Sequence, residues 1–543
     1  MTPTSTYTGH SPKPSARLWQ RSLIMAGVVT LGACSTVQVK PLEPQPMAEA
    51  TRADAAAIRK VVEPITGTLS LPEAVARALK YNLETRVKRM EEALALGEIE
   101  KAEFDMLPRL VASAGYSWRD NDRINLSRNT ADGVLSPSQF VSADRVHDTR
   151  GLEFTWSLLD VGLGYYGARQ QADRHLISLE RRRKAAQLLI QNVRTAFYRA
   201  LSAQLLRDDV KATIQIGEEA LAESRTAEAQ RLRNPIDQLR YQRQLLENMR
   251  LLESINQELE SANIELAQLI NAPIGAAPIR LIESPSRDVG KEIMDVSIEK
   301  LEAQTLARNP DLREAHYGAR IAREEVRRTL ARLFPNVSLN WGLKYDSDSY
   351  LVNRNWQEAG LTASFNLFNL ITGPAQMRLA EAGVSLADQR RMAAHVAALT
   401  QMHLARVALL SAREQFVRAD TIWDVDRKIA DLVKNRQDAQ TQSKLEVVSN
   451  NTTATLSLLR RYQAMSQVQS AENRFLATLG AEVAGDVDKM TVAQLTAQVT
   501  HQFRASIDQL IGIQPLPPLK PGEPLPAPAR FPIFPLSGPA APR

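Results

Sequence analysis

Four short stretches of the chain alternate apolar and polar residues with a period of two. In 110–118, Leu110, Ala112, Ala114, Tyr116 and Trp118 share one face, with Ser113, Gly115 and Ser117 on the other. Leu152, Phe154, Trp156 and Leu158 alternate with Glu153, Thr155 and Ser157. Val337, Leu339, Trp341, Leu343 and Tyr345 alternate with Ser338, Asn340, Gly342, Lys344 and Asp346, and Leu361, Ala363, Phe365 and Leu367 with Thr362, Ser364 and Asn366. The alternation predicts strands at about 109–119, 151–159, 336–346 and 360–368. Their lengths approach the roughly 9–11 residues of a tilted membrane strand.

Elsewhere the period is helical. Ser70, Pro72 and Glu73 read as a capping box that opens a helix, and Pro108 and Pro335 mark two helix-to-strand junctions. After each strand pair comes a long stretch nearly free of breakers. Between Ala168 and Arg233 only Gly217 interrupts, which predicts a helix of about 100 Å at 1.5 Å per residue. The stretch 384–479 has no Gly or Pro at all. Small residues recur at helical spacing, as in Val193, Ala196, Ala200 and Ala203 and in Met402, Ala405, Leu409 and Ala412, which favours close helix packing. Asn234-Pro235 predicts a reversal of the first long helix. The corresponding point near Gln442 has no breaker.

The chain repeats itself. Leu69-Ser70-Leu71, Leu79, Asn82, Leu107-Pro108 and Gly115 match Val296-Ser297-Ile298, Leu306, Asn309, Phe334-Pro335 and Gly342. Further on, Trp156, Leu158, Asp160, Asp237 and Ile270-Asn271 match Phe365, Leu367, Asn369, Glu446 and Leu479-Gly480. The offset changes because the segment near 121–150 is longer than its partner. The resulting division is 69–271 for the first repeat, 272–295 for a connector and 296–480 for the second repeat. Residues 481–511 read as a C-terminal helical segment and 512–543 as a Pro-rich, disordered tail.

Composition narrows the function. A length of 543 residues exceeds one small domain, and a net charge of +6 with no basic run longer than Arg181-Arg182-Arg183-Lys184 gives no case for nucleic acid. One cysteine excludes an intramolecular disulfide, and seven scattered histidines, with neither HExxH nor a phosphate loop, suggest no metal, no cofactor and no enzyme. Lys13, Arg17 and Arg21 precede a short apolar run and Gly32-Ala33, the layout of a signal peptide over 1–33. Leu31-Gly32-Ala33-Cys34 resembles a bacterial lipobox, which implies acylation of Cys34, sorting to the outer membrane and a periplasmic tether over 34–68.

Four of the six tryptophans (118, 156, 341 and 356) lie in or beside the strands, as in the aromatic girdles of membrane barrels. Four strands cannot close a barrel, and an open edge in lipid costs several kcal/mol per unpaired group, so several copies would have to share one. Two copies would give eight strands and three would give twelve.

Taken in order, the lipobox, the duplicated helix–strand–strand–helix unit, Pro108 and Pro335, and Trp156-Ser-Leu-Leu-Asp160 resemble the outer-membrane factor family, the TolC-like channels. The resemblance implies a mostly α fold with a membrane β-barrel portion. A homotrimeric twelve-stranded barrel would continue into a periplasmic α-helical barrel. It implies as partners a periplasmic adaptor, an inner-membrane transporter and outer-membrane lipid. It also puts Glu446, with Asp237 and Ser449, at the periplasmic aperture, and Arg231, Arg233, Asn234, Pro235 and Gln442 at tips that contact the adaptor. The function expected is a passive efflux duct. The alternatives are the outer-membrane component of type I protein secretion and a coiled-coil structural lipoprotein with no pore. An envelope hydrolase would need a clustered nucleophile and base.

Overall fold

A computed structural model describes residues 41–128, 130–131, 133–230, 234–273, 279–282, 296–438, 444–481 and 487–504. The chain divides into two units, 1–63 and 64–543. In the first, α1 (Pro44–Val61) starts on a proline and ends on Arg59 and Lys60, which complement the helix dipole. The stretch expected as a plain tether is therefore helical over these residues. Cys34, the tail 512–543 and most of the connector lie outside the described residues.

The second unit opens with the short strand β1 (Leu69–Ser70), then α2 (Leu71–Tyr81) and α3 (Leu83–Phe104). Ser70 Oγ accepts the Glu73 N–H, as the capping box requires. The Glu73 carboxylate does not return to the cap; it pairs with Arg77 Nε at 2.9 Å. Four strands follow: β2 (Arg109–Trp118), β3 (Ile124–Arg128), β4 (Leu135–Val141) and β5 (Val146–Ser157). Two long helices complete the first repeat, α4 (Leu158–Ala229) and α5 (Pro235–Leu269). After β6 (Leu281–Ile282), which pairs in parallel with β1, the pattern recurs: α6 (Ile298–Arg308), α7 (Pro310–Arg332), β7 (Asn336–Asp346), β8 (Asn355–Ser364), α8 (Asn369–Asp438) and α9 (Lys444–Thr478). The last described element is α10 (Val492–Arg504), whose Leu495 and Val499 join the core around α2 and the middle of α4.

The helix expected before each strand pair is in fact two, broken at the matched residues Asn82 and Asn309. Asn82 Oδ1 caps α3 by accepting the Thr85 N–H at 3.1 Å, and its Nδ2 donates to Leu269 O at 3.3 Å. Asn309 Oδ1 accepts the Leu312 N–H at 3.1 Å, and its Nδ2 donates to Thr478 O at 3.2 Å. Each asparagine thus starts one helix and satisfies an orphan carbonyl at the end of another. The returning helices end on left-handed residues at matched positions, Asn271 (φ 55°) and Gly480 (φ 70°).

Four other expectations are corrected. The last strand occupies 355–364, not 360–368, because its antiparallel partner β7 begins at Asn336, opposite Ser364. Beyond it, Asn366 Oδ1 accepts the Phe368 N–H in a turn, although Phe365 and Leu367 continue the alternation. The long segment near 121–150 is not only a loop; it carries the β3–β4 hairpin. The long helices also begin earlier than their last glycine or proline suggests. Ser157 Oγ caps α4 directly off β5 by accepting the Asp160 N–H at 3.1 Å, and α8 contains Pro374. Gly217 does not interrupt α4: a Cβ there would lie 3.1 Å from Met249 Cγ, so its small size serves close α4–α5 packing.

Candidate functional site

Strands β2, β5, β7 and β8 form one antiparallel sheet in that order. Residues directly opposite each other point to the same side, so the register fixes both faces. One face carries Leu110, Leu152, Phe154, Trp156, Leu339, Trp341, Leu343 and Leu361. The other carries Ser113, Gly115, Thr149, Gly151, Thr155, Ser338, Asn340, Gly342, Gly360 and Thr362. On β5, ten steps separate Trp156 from Val146, which lies opposite Trp118. At about 3.3 Å per step and a tilt of about 40°, this spans about 25 Å; the face is apolar toward Trp156 and carries Arg150 and Asp148 toward Val146. Trp118, Trp156 and Trp341 belong to the apolar face. Trp356 does not: it lies opposite Lys344, on the polar face.

The sheet has two free edges, β2 and β8. The helices below it repeat the arrangement. Nearest the sheet, α4 packs between α3 and α7, and α7 packs on α8, giving the order α3–α4–α7–α8. Farther away, α4 packs between α5 and α9, and α9 packs on α8, giving α5–α4–α9–α8. In all three tiers one edge belongs to the first repeat (β2, α3 or α5) and the other to β8 or α8. The edge helices carry exposed apolar residues at heptad-like spacing, Leu83, Val87, Met90 and Leu94 on α3 and Ile422, Val425, Ile429 and Leu432 on α8. Among the inner contacts, Val193, Ala196, Ala200, Ala203, Met402, Ala405, Leu409 and Ala412 are all buried, as their spacing predicts.

Both junctions between helix and sheet are built alike. Before Pro108, the Met106 and Leu107 N–H groups close a last turn on Glu103 and Phe104; before Pro335, Leu333 and Phe334 do so on Leu330 and Ala331. The proline then admits no further helix, and the strand starts at the next residue. Ser157 donates to Asn336 Oδ1 at 2.8 Å, joining the two repeats at this level.

At the far end, Asn234 Oδ1 caps α5 by accepting the Ile236 N–H at 3.0 Å, with Pro235 at the first helical position. Buried Ser224 and Gln238 bond at 2.8 Å between α4 and α5. The start of α9 seats on this hairpin: Val448 packs with Ala220, Leu221 and Leu245, and Leu445 lies against the same cluster. Lys444 pairs with Glu223 of α4, a contact the sequence did not suggest; the bond raises the Lys444 pKa. Glu446 and Asp237 occupy the first turns of α9 and α5, both exposed, where a carboxylate favours the helix dipole. Asp237 also lies 3.9 Å from Arg240. Ser449 is half-buried one turn into α9. Arg231, Arg233 and Gln442, expected at the tips, lie outside the described residues.

At the opposite end, a polar clamp fixes the base of the β3–β4 hairpin to the β7–β8 turn. Asp144 accepts the Ser349 N–H and, at 2.8 Å, its hydroxyl; its own N–H donates to Asp348 at 3.1 Å. These bonds hold the Asp144 carboxyl below its usual range. Asp122 accepts both arms of Arg145 at 2.6 and 2.8 Å. Among the described residues no group of His, Cys, Asp and Glu could hold a metal ion. No helix among them is long and apolar enough to cross a membrane, which says nothing of the sheet.

Residues 301–481 match the model of the family described as "Outer membrane efflux protein". No curated protein matches the chain by sequence. Its fold is similar to that of the Campylobacter jejuni CmeC outer membrane channel, with a TM-score of 0.59 and 13% identity over 79% of this chain and 89% of that one. A membrane protein from Pseudomonas aeruginosa gives 0.58 and 17% over 78% and 92%. The outer membrane protein VceC of Vibrio cholerae gives 0.55 and 15% over 76% and 96%. At these identities the likeness is one of fold, and it extends across both repeats. The second repeat thus carries the sequence pattern of the outer membrane efflux protein family, and the chain shares the fold of outer-membrane channels.

Proposed function

We propose that the chain is one third of a passive outer-membrane duct for efflux. The observation that carries this reading is the agreement of the open edges in three tiers. Joining β2 to β8, α3 to α8 and α5 to α8 of the next copy closes sheet and helices by one operation, as a heterologous ring requires. Two copies would make an eight-stranded barrel, whose interior side chains fill, whereas three make twelve strands with an open bore. Twelve strands about 4.8 Å apart and tilted about 40° enclose a wall of about 12 Å radius. The apolar face then meets lipid and the Gly/Ser/Thr/Asn face lines water.

In this reading the helices extend the bore into the periplasm: α4, with 72 residues, is about 108 Å long at 1.5 Å per residue. Acylated Cys34 anchors each copy. Glu446 of three copies rings the far aperture, with Asp237 and Ser449 beside it, and favours cations there. Arg231, Arg233, Asn234 and Pro235, in the chain between α4 and α5, and Gln442, between α8 and α9, meet the adaptor, which couples the duct to an inner-membrane transporter. Such a duct binds no cofactor and catalyses nothing; the chain is not an enzyme. Single-channel recording of the purified protein in planar bilayers tests this. Discrete conductance steps are expected, with reduced cation preference or divalent block in Glu446→Gln. A protein that never conducts contradicts the duct, and an unchanged Glu446→Gln removes Glu446 from the aperture.

A further inference from the structure

The face of the sheet turned away from lipid is nearly uncharged, with one exception near its middle. At the inner end Arg109 lies 3.9 Å from Asp160, and at the outer end His147 Nδ1 lies 2.8 Å from Asp346. Between these ends the only charged residues on that face are Glu153, Lys344 and Glu358. The register puts Val111, Glu153, Gly342 and Glu358 in one row and Ser113, Gly151, Lys344 and Trp356 in the next. Lys344 Nζ bonds Glu358 Oε2 at 2.9 Å, and the Trp356 indole bonds the same carboxylate. Glu153 interacts with Lys344 from the neighbouring strand. The glycines beside them, Gly151 and Gly342, carry no side chain to cover the cluster.

We propose that these residues form a charge belt inside the membrane barrel that selects cations over anions, a second selectivity element apart from the tip. The proposal rests on the closed-duct reading. Two carboxylates and one ammonium leave one uncompensated negative charge per chain, hence three at one level of the bore. Lys344 and Trp356 fix Glu358, and Glu153 supplies the excess charge. Three charges about 10 Å from the axis, screened over a Debye length of about 10 Å at 0.1 M salt, raise the cation and lower the anion concentration there by about two-fold each. The permeability ratio of potassium to chloride then shifts by about four-fold. The effect fades at 1 M salt, where the screening length is about 3 Å.

The test is the reversal potential of the assembled channel in a KCl gradient near 0.1 M, measured in a Glu446→Gln background so that the tip carboxylate is absent. Four charge states are compared: Lys344→Met, the unsubstituted belt, Glu153→Gln and Glu153→Lys. The potassium-to-chloride ratio should fall in that order, by about four-fold between the unsubstituted belt and Glu153→Gln, and the differences should shrink at 1 M KCl. Heat-sensitive oligomers on gels identify the variants that assemble, and the order among them decides. A channel that conducts with one ratio throughout the series overturns the belt and leaves the duct standing. A protein that forms no channel before any substitution removes both.

Discussion

The end of α9 should tolerate far less than the matching end of α5, although the two are repeat equivalents. Gly480 has φ 70°, and a Cβ added there would lie 2.2 Å from Arg308 O and 2.5 Å from its carbonyl carbon. Gly480→Ala therefore adds a left-handed penalty of about 1 kcal/mol to an overpacking cost of about 1–3 kcal/mol. The carbonyl it meets belongs to the last residue of α6, so relief requires moving a backbone, not turning a side chain. A total of about 2–4 kcal/mol is expected, toward the upper end because the clash is with backbone. Asn271 stands at the equivalent point with φ 55°, and its Nδ2 donates to Tyr81 O at 3.3 Å. Asn271→Ala keeps the strained backbone and loses that bond, for about 1–2 kcal/mol. Asn271→Gly relieves the backbone and loses the bond, so the two terms of about 1 kcal/mol nearly cancel. The assay is the urea midpoint for loss of helical circular dichroism in detergent, with the recovered oligomer as a second readout. Gly480→Ala proving milder than Asn271→Ala would refute the reasoning, because the close approach to Arg308 would then carry no cost.

Other outcomes follow from the same contacts. Asn309→Ala leaves the buried Leu312 N–H and Thr478 carbonyl without partners and should cost about 2–4 kcal/mol, more than Asn309→Ser, which retains a cap; urea titration measures the difference. Glu223→Gln removes the Lys444 pair, but both groups are partly exposed, so stability should change by less than about 1 kcal/mol in the same titration. Because the Asp144 pKa is depressed, its bonds to Ser349 stabilise the clamp above the unfolded carboxyl pKa and are lost as pH falls through the folded one. The protection of the Ser349 amide against hydrogen exchange, relative to its intrinsic rate at each pH, should therefore be high near neutrality and fall only below the usual carboxyl range.

The duplicated unit, the strand pairs and the long helices were legible because each obeys a local period. What escaped did so for physical reasons. Strand β5 starts five residues before the expected 151, and β8 five before the expected 360. Both missed ends lie at the outer rim of the sheet, where the lipid-side residues are Arg150, Asp148, Asn355 and Gln357. Outside the hydrocarbon that face need not be apolar, so the alternation vanishes while the ladder continues. Trp356 then looked like another girdle residue, although its partner across the ladder is Lys344. The β3–β4 hairpin has no counterpart in the second repeat, so the internal comparison could only mark it as extra length. Asn82 and Asn309 stood out as matched positions. Their role needed the fold, since each reaches a carbonyl far away along the chain, at Leu269 and Thr478. The tip carboxylates came from family resemblance. The belt at Glu153 and Lys344 was written in the polar half of each alternation and becomes visible once the register sets those residues beside Glu358.

Counting the chains in one detergent-solubilised particle probes the account most directly. Light scattering corrected for bound detergent, or native mass spectrometry, should give three copies, the number that turns four strands and four helices per tier into an open ring. A stable particle of one or two chains would contradict it: one leaves β2 and β8 unpaired in lipid, and two leave no bore.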